Sequence, residues 1–304
     1  LPGKIVVSTL MEHKYSTYVN SDSPKSSFNL SKNPGVEYSG VNWFNTRDAF
    51  IGTESINRLT STEYRCNIVE LDLSGKMTER IYEAKKGELA WPKYPSWDDK
   101  YLIFTTHRNV DPKVYPLEGL TPMLSLVIMD LKQKKVITKI DSIGRSPNIL
   151  IEESPWLHSG YQFVYSIDGG TKLKGKEKLI NPVEATEGIY LLDVPAGERK
   201  LLVSGGHSAI ASPTGNRIAY EKDNSIRVLD LNSNEEKIIY KHSSKEQLFG
   251  KHWTPDGKHI YLACKYYWGI GDMFNTGEKL IEANTGKEKP FKKIGHGFAS
   301  YTWK

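Results

Sequence analysis

Three histidines and a carboxylate pair are the residues whose types could do chemistry together. His207 stands in GGHSAI, His252 in LFGKHW and His296 in IGHGFASYTW, while Glu152 and Glu153 adjoin one another in LIEESPW. Neutral imidazoles completed by a carboxylate oxygen suit a divalent transition metal. Their offsets from the tryptophans and turns around them differ, however. His252 immediately precedes Trp253, His207 lies five residues before Ser212 and His296 seven before Trp303, so a shared depth is not built into the spacing.

Aromatic side chains crowd the same neighbourhoods. Trp91 and Tyr94 fall in LAWPKYPSW, Phe249 and Lys251 flank the glycine of LFGKHW, and Trp268 follows Tyr266 and Tyr267 in KYYWGIGDMF. Flat rings beside a few ionisable groups suit the stacking of sugar rings or peptide side chains. Motifs for covalent or nucleotide chemistry are missing: there is no G-x-S-x-G, no P-loop and no G-x-G-x-x-G after a strand. DGGTKLKGKEK contains Asp168 but not the ligand spacing of a calcium loop.

Composition narrows the class. Aromatics make up 11% of the 304 residues, with 17 Tyr and 7 Trp, and 25 Gly and 15 Pro place turns too close together for long helices. The net charge of +5 is spread over Lys-rich turns such as LKGKEK and KPFKKI, which argues against nucleic acid as a partner. No apolar window reaches the roughly 18 residues of a membrane span, and no signal-peptide core is visible in the first thirty residues. A chain beginning at Leu instead of Met nonetheless suits a processed protein, so export to the periplasm, the cell surface or the medium is the expectation. Cys66 and Cys264 have no partner at zinc or CxxC spacing and read as buried thiols.

The elements that must position these residues repeat along the chain. A short apolar stretch, often ending in Trp, leads through a tight polar turn to a β-branched or aromatic strand in VNWFNTRDAFIG, PSWDDKYLIFT, SPWLHSGYQFVY, AIASPTGNRIAY and KHWTPDGKHIYL. Downstream of each comes a strand ending in an acid, a short turn and another strand; the acids are Asp72, Asp130, Asp193, Asp230 and Glu282. Their place at the strand end argues that each accepts hydrogen bonds from its own turn and is not catalytic. The repeat length, roughly 37 to 63 residues, is that of propeller blades of four antiparallel strands. YTWK at the end, followed by LPGKIVVS at the beginning, reads like a sixth copy, with the C-terminal strand innermost. Such a blade closes a ring and removes two raw sheet edges.

The hairpins SPTGNRIAY and TPDGKHIYL, each followed by an acid-ended strand, resemble the TolB-like six-bladed propeller repeat (the WD40-like or PD40 repeats), and the whole chain fits six such units. The expected architecture is therefore an all-β, six-bladed β-propeller, a single domain with blades near 35–87, 88–146, 147–206, 207–250, 251–295, and 296–304 plus 1–34. Histidines on three consecutive blades also make the chain similar in outline to oligogalacturonate lyases. That resemblance implies a divalent metal in the central channel, held by His207, His252 and His296, with a base removing the proton alpha to a uronate carboxylate. The lyases' own histidine pattern is not reproduced residue by residue.

Long b–c connections such as TESINRLTSTEYR, HRNVDPKVYPLEGLTPM and IDGGTKLKGKEKLINPVEATE, against minimal a–b turns, place the working face at the b–c end. There Trp91, Tyr94, Glu152, Glu153, His207, Phe249, Lys251, His252, Trp268 and His296 are expected to line a cleft. Three readings stay open. One is a monomeric, exported propeller binding a saccharide or a segment of a partner protein; the second is a metal-assisted lyase or hydrolase acting on acidic oligosaccharides; the third is a purely structural docking module with its Tyr and Trp residues on an open rim.

Overall fold

A computed structural model describes residues 4–9, 14–19, 26–29, 36–56, 65–108, 124–142, 148–150, 155–158, 160–168, 187–243, 246–267, 274–290 and 299–303. All regular structure among them is strand. In chain order these are β1 (Lys4–Thr9), β2 (Lys14–Val19), β3 (Ser26–Asn29), β4 (Val36–Trp43), β5 (Phe50–Ile56), β6 (Arg65–Leu71), β7 (Met77–Tyr82), β8 (Glu88–Pro95), β9 (Tyr101–Arg108), β10 (Leu124–Asp130), β11 (Lys135–Ser142) and β12 (Asn148–Leu150). Then follow β13 (Gln162–Asp168), β14 (Gly188–Asp193), β15 (Glu198–Ser204), β16 (His207–Ala211), β17 (Arg217–Lys222), β18 (Ser225–Asp230), β19 (Glu236–Lys241), β20 (Glu246–Trp253), β21 (His259–Tyr267), β22 (Phe274–Glu282), β23 (Glu288–Lys289) and β24 (Ala299–Trp303).

Within each set of four the strands pair in order, each antiparallel to the next. Strands β12 to β15, β16 to β19 and β20 to β23 form three four-stranded sheets. An eight-stranded sheet contains β4 to β7 and β8 to β11, joined by a single parallel pair, Cys66 with Leu89. The remaining sheet runs β24-β1-β2-β3, so the last strand pairs with the first, Ile5 opposite Trp303 and Thr9 opposite Ala299.

Apolar residues are distributed between successive sheets, not gathered in one centre. On β9, Leu102 and Phe104 pack with Phe44, Ile51 and Ile68 of the preceding strands, whereas Ile103 packs with Trp156, Phe163 and Tyr165 of the following ones. On β16 the same alternation sends Ala209 and Ala211 toward Val164 and Ile189, and Ile210 toward Trp253 and Ile260. The period of two along a strand thus buries both faces of a sheet. This explains why the second strands read as continuous apolar runs such as YLIF.

Turn chemistry is local and regular. Asp72 Oδ1 accepts from Ser74 N at 2.8 Å and Lys76 N at 3.0 Å, Asp130 Oδ1 from Gln133 N at 2.7 Å, Asp193 Oδ1 from Ala196 N at 3.1 Å, and Asp230 Oδ1 from Asn232 N at 2.9 Å. Glu282, one methylene longer, takes the Thr285 hydroxyl instead. These contacts hold the carboxyl of Asp72 below its ordinary range, chiefly through the Ser74 hydroxyl, and that of Asp230 chiefly through the Ser233 and Asn232 amides.

Candidate functional site

The first strand of several sets is bulged at nearly the same level. In β4 the register shifts between Ser39 and Asn42, in β8 between Pro92 and Pro95, in β16 between His207 and Ile210, and in β20 between Leu248 and Gly250. Local sequence permits this. The prolines of β8 cannot donate to a ladder and lie beyond Leu89, the one residue of β8 that pairs with β6, and Ser208 adopts a left-handed φ of 53° inside its bulge. Directly beyond the bulge, Ser39, Trp91 and His207 occupy equivalent rungs, opposite Thr53, Thr105 and Glu221.

Trp91 is 37% exposed there. His207 is half-buried, with Nδ1 3.4 Å from Ser208 Oγ. Tyr94 lies within the bulge of β8, half-buried against the cluster around Trp156 and Phe163. Lys251 is buried, and its ammonium bonds Glu221 Oε1 at 2.9 Å across the gap between β20 and β17. Phe249 sits at the irregularity of β20. Glu152, Glu153, Trp268 and His296 lie outside the described residues. Glu221 and Ser208 were not singled out by sequence reasoning; the only local signal is that both fall one strand apart in the least interrupted hairpin of the chain.

His252 is buried beside Lys251, its ring centroid 6.1 Å from that of Tyr261. It pairs with Tyr261, two rungs nearer the a–b turn than the rung that His207 shares with Glu221, or about 7 Å along a strand. Burial, and secondarily the Lys251 charge, push its imidazole down to about 3 from an ordinary 6.5. Between those values the unfolded chain binds a proton that the folded chain refuses. Stability is therefore complete above pH 6.5 and is lost as the pH falls through the window toward 3. Going from pH 7 to pH 5 is expected to cost about 2 kcal/mol at ~1.4 kcal/mol per unit. Urea unfolding at both pH values checks this, and a His252→Gln chain with the same pH slope would contradict it.

The opposite end of the sheets, where a–b and c–d turns lie, is sewn together. Asp99 accepts from Asn45 N at 2.7 Å and Thr46 N at 2.8 Å, Tyr161 donates to Asp98 Oδ2 at 2.7 Å, and Arg217 donates to Gly257 O at 2.7 Å and Asn284 Oδ1 at 2.8 Å. Gly257, at φ 63°, lies so close to the preceding hairpin that a Cβ would stand 1.9 Å from Thr214 Oγ1.

Among the described residues no three His, Cys, Asp or Glu side chains gather to hold a metal. Of the residues expected to hold a metal, only His207 and His252 are among those described, two rungs apart on neighbouring sheets.

No protein-family model matches this chain. Nor does any curated protein match it. Solved structures do. A TolB structure from Agrobacterium tumefaciens superposes with a TM-score of 0.51 at 12% identity, covering 95% of this chain and 87% of that one. An acylaminoacyl peptidase of Pyrococcus horikoshii gives 0.57 at 13% identity over 96% of this chain, which spans only 45% of the peptidase. An oligogalacturonate lyase in complex with manganese gives 0.50 at 12% identity, covering 95% of this chain and 72% of the lyase. The all-β pairing and these likenesses define a β-propeller. Its fold is TolB-like. No helix among the described residues is long and apolar enough to cross a membrane.

Proposed function

We propose that this is a monomeric, exported, six-bladed binding propeller, its ring closed by β24 together with β1 to β3, which holds a partner protein's segment or a saccharide at the end where the b–c connections leave. The difference between the two ends carries this reading. One end consists of short turns whose polar groups bond each other across successive sheets. At the other, bulged first strands hold a partly exposed indole and a half-buried imidazole at equivalent rungs. A rigid end and an end offering aromatic and polar side chains suit a scaffold that presents a site. In a closed ring those rungs surround one axis, so Trp91 and His207 face a common mouth.

A thermal-shift screen with oligogalacturonates and with extended peptides tests the binding. A ligand at a hundred times its dissociation constant adds about 2.7 kcal/mol to the stability of the folded state. The expected result is a rise in Tm that Trp91→Ala and His207→Ala abolish while their ligand-free Tm stays near that of the parent. Rises of equal size in both variants would remove the site from this mouth. Closure has its own test, a Val6→Cys/Thr302→Cys chain, whose thiols should oxidise to an intramolecular disulfide. Cell fractionation of the source organism tests export.

A further inference from the structure

The end where the a–b turns lie carries an aromatic surface of its own, built from two successive hairpin turns. Trp97, between β8 and β9, is 42% exposed, and its indole lies parallel to the Tyr161 ring, with an interplanar angle of 7° and centroids 6.1 Å apart. The exposed His158 imidazole stands 6.1 Å from the same indole, tilted by 48°. A lone exposed ring is ordinary on a protein surface; what sets this one apart is how it is held.

The polar groups of both rings are committed. Trp97 Nε1 donates to Gly160 O at 3.3 Å, across to the hairpin that leads into β13, and Gly160, at a left-handed φ of 71°, turns that hairpin. Tyr161 OH donates to Asp98 Oδ2 at 2.7 Å, while Asp98 Oδ1 accepts from Ser96 Oγ at 2.8 Å and Lys100 N at 3.1 Å. The Tyr101 ring meets Tyr161 edge-on, centroids 4.7 Å apart. The Lys100 ammonium lies 4.6 Å from the Tyr161 centroid and 4.9 Å from that of Tyr101, and its neighbours among the described residues are these rings, with no carboxylate at ion-pair distance. Asp98 and Lys100 contribute one charge of each sign, so the group is formally neutral.

We infer that this surface binds a neutral pyranose ring, as in a β-linked glucan, by stacking the sugar's C–H face on the Trp97 indole. A pyranose with equatorial hydroxyls is apolar on both faces and polar around its edge. The surface divides in the same way. Its π faces belong to rings whose N–H and O–H are already bonded, and beside them an exposed imidazole and an ammonium can serve hydroxyls. A formally neutral group suits an uncharged sugar. An extended peptide would need backbone partners, and the backbone here is spent: Ser96 N donates to Tyr101 O at 2.8 Å, Leu131 N to Lys100 O at 2.8 Å, Leu157 N to Gln162 O at 2.9 Å and Val194 N to Tyr161 O at 2.9 Å. Because the indole is held in place before a ligand arrives, binding carries little ordering cost.

The test is isothermal titration of the full chain with cellohexaose, the Tm of each variant establishing that it is folded. Saturable binding is expected, weakened about tenfold in Trp97→Ala and changed less than about twofold in Ile238→Ala, which removes an equally exposed apolar side chain elsewhere. If Trp97→Ala does not fold, His158→Ala carries the test, because it removes only an exposed ring; about threefold weakening is expected there. No saturable binding, or binding undiminished in the folded variant, would overturn the proposal. So would tighter binding of trigalacturonate with the same dependence on Trp97, which would make the ligand an acidic sugar. Sedimentation with phosphatidylglycerol vesicles that depends on Trp97 would overturn it as well, since the indole would then be a membrane anchor. None of these variants touches Trp91 or His207, so failure here leaves the proposed mouth unaffected.

Discussion

Replacing Trp253 with alanine is expected to lower the unfolding free energy by about 3–5 kcal/mol, as removal of a large buried aromatic does. Trp253 is 4% exposed, packs among Ile210, Ile260 and Ile281, donates from Nε1 to Ile210 O at 3.3 Å and lies under the Arg217 guanidinium at 5.2 Å. The loss extends beyond its own sheet, because Ile210 belongs to the preceding one. Trp156 makes the corresponding bond, Nε1 to Tyr94 O at 2.9 Å, again across to the preceding set. Tyr94 and Ile210 are equivalent residues, each just before the rung where Pro95 meets Leu102 and Ala211 meets Ile218. Trp156→Ala is therefore expected to cost about as much, and Trp253→Phe, which keeps most of the bulk but loses the hydrogen bond, about 1–2 kcal/mol. Denaturant titrations of the three variants measure this; a Trp253→Ala loss under 1 kcal/mol would mean that the inter-sheet bond does not organise the boundary.

The second large effect belongs to Lys251. Its side chain is 5% exposed and that of its partner Glu221 is 17% exposed, so removing the ammonium strands a carboxylate in poorly hydrated surroundings. Lys251→Met is expected to cost about 3–5 kcal/mol. Replacing both partners, Lys251→Met with Glu221→Leu, is expected to recover most of that loss, because two desolvation penalties vanish along with one attraction. If the double variant were as unstable as the single one, packing and not the charge pair would be the source. Lys251 is thus committed to joining two sheets, a role that its position in LFGKHW does not advertise.

The acids at strand ends were legible because their partners lie two to four residues away, within the reach of a single turn. The tryptophans were legible as residues of the first hairpin, yet the carbonyls they meet, 62 and 43 positions away, were not. Bulges in the first strands left only faint marks: Gly40, Pro92 with Pro95, and Gly250. His252 shows the limit most plainly. Its place next to Trp253 says nothing of its exposure, and only the packed sheets make it a buried, neutral imidazole.

Taken alone, the amino-acid order determined an all-β chain, the spacing of its four-stranded units and a TolB-like propeller, since alternation along a strand and turn chemistry act over a few residues. Tertiary structure alone decided which imidazole is buried, which lysine is spent on an ion pair, and where a cleft opens between β7 and β11. Those outcomes depend on contacts between residues tens of positions apart, and burial, which sets the strength of every charge and hydrogen bond, exists only once the sheets have packed.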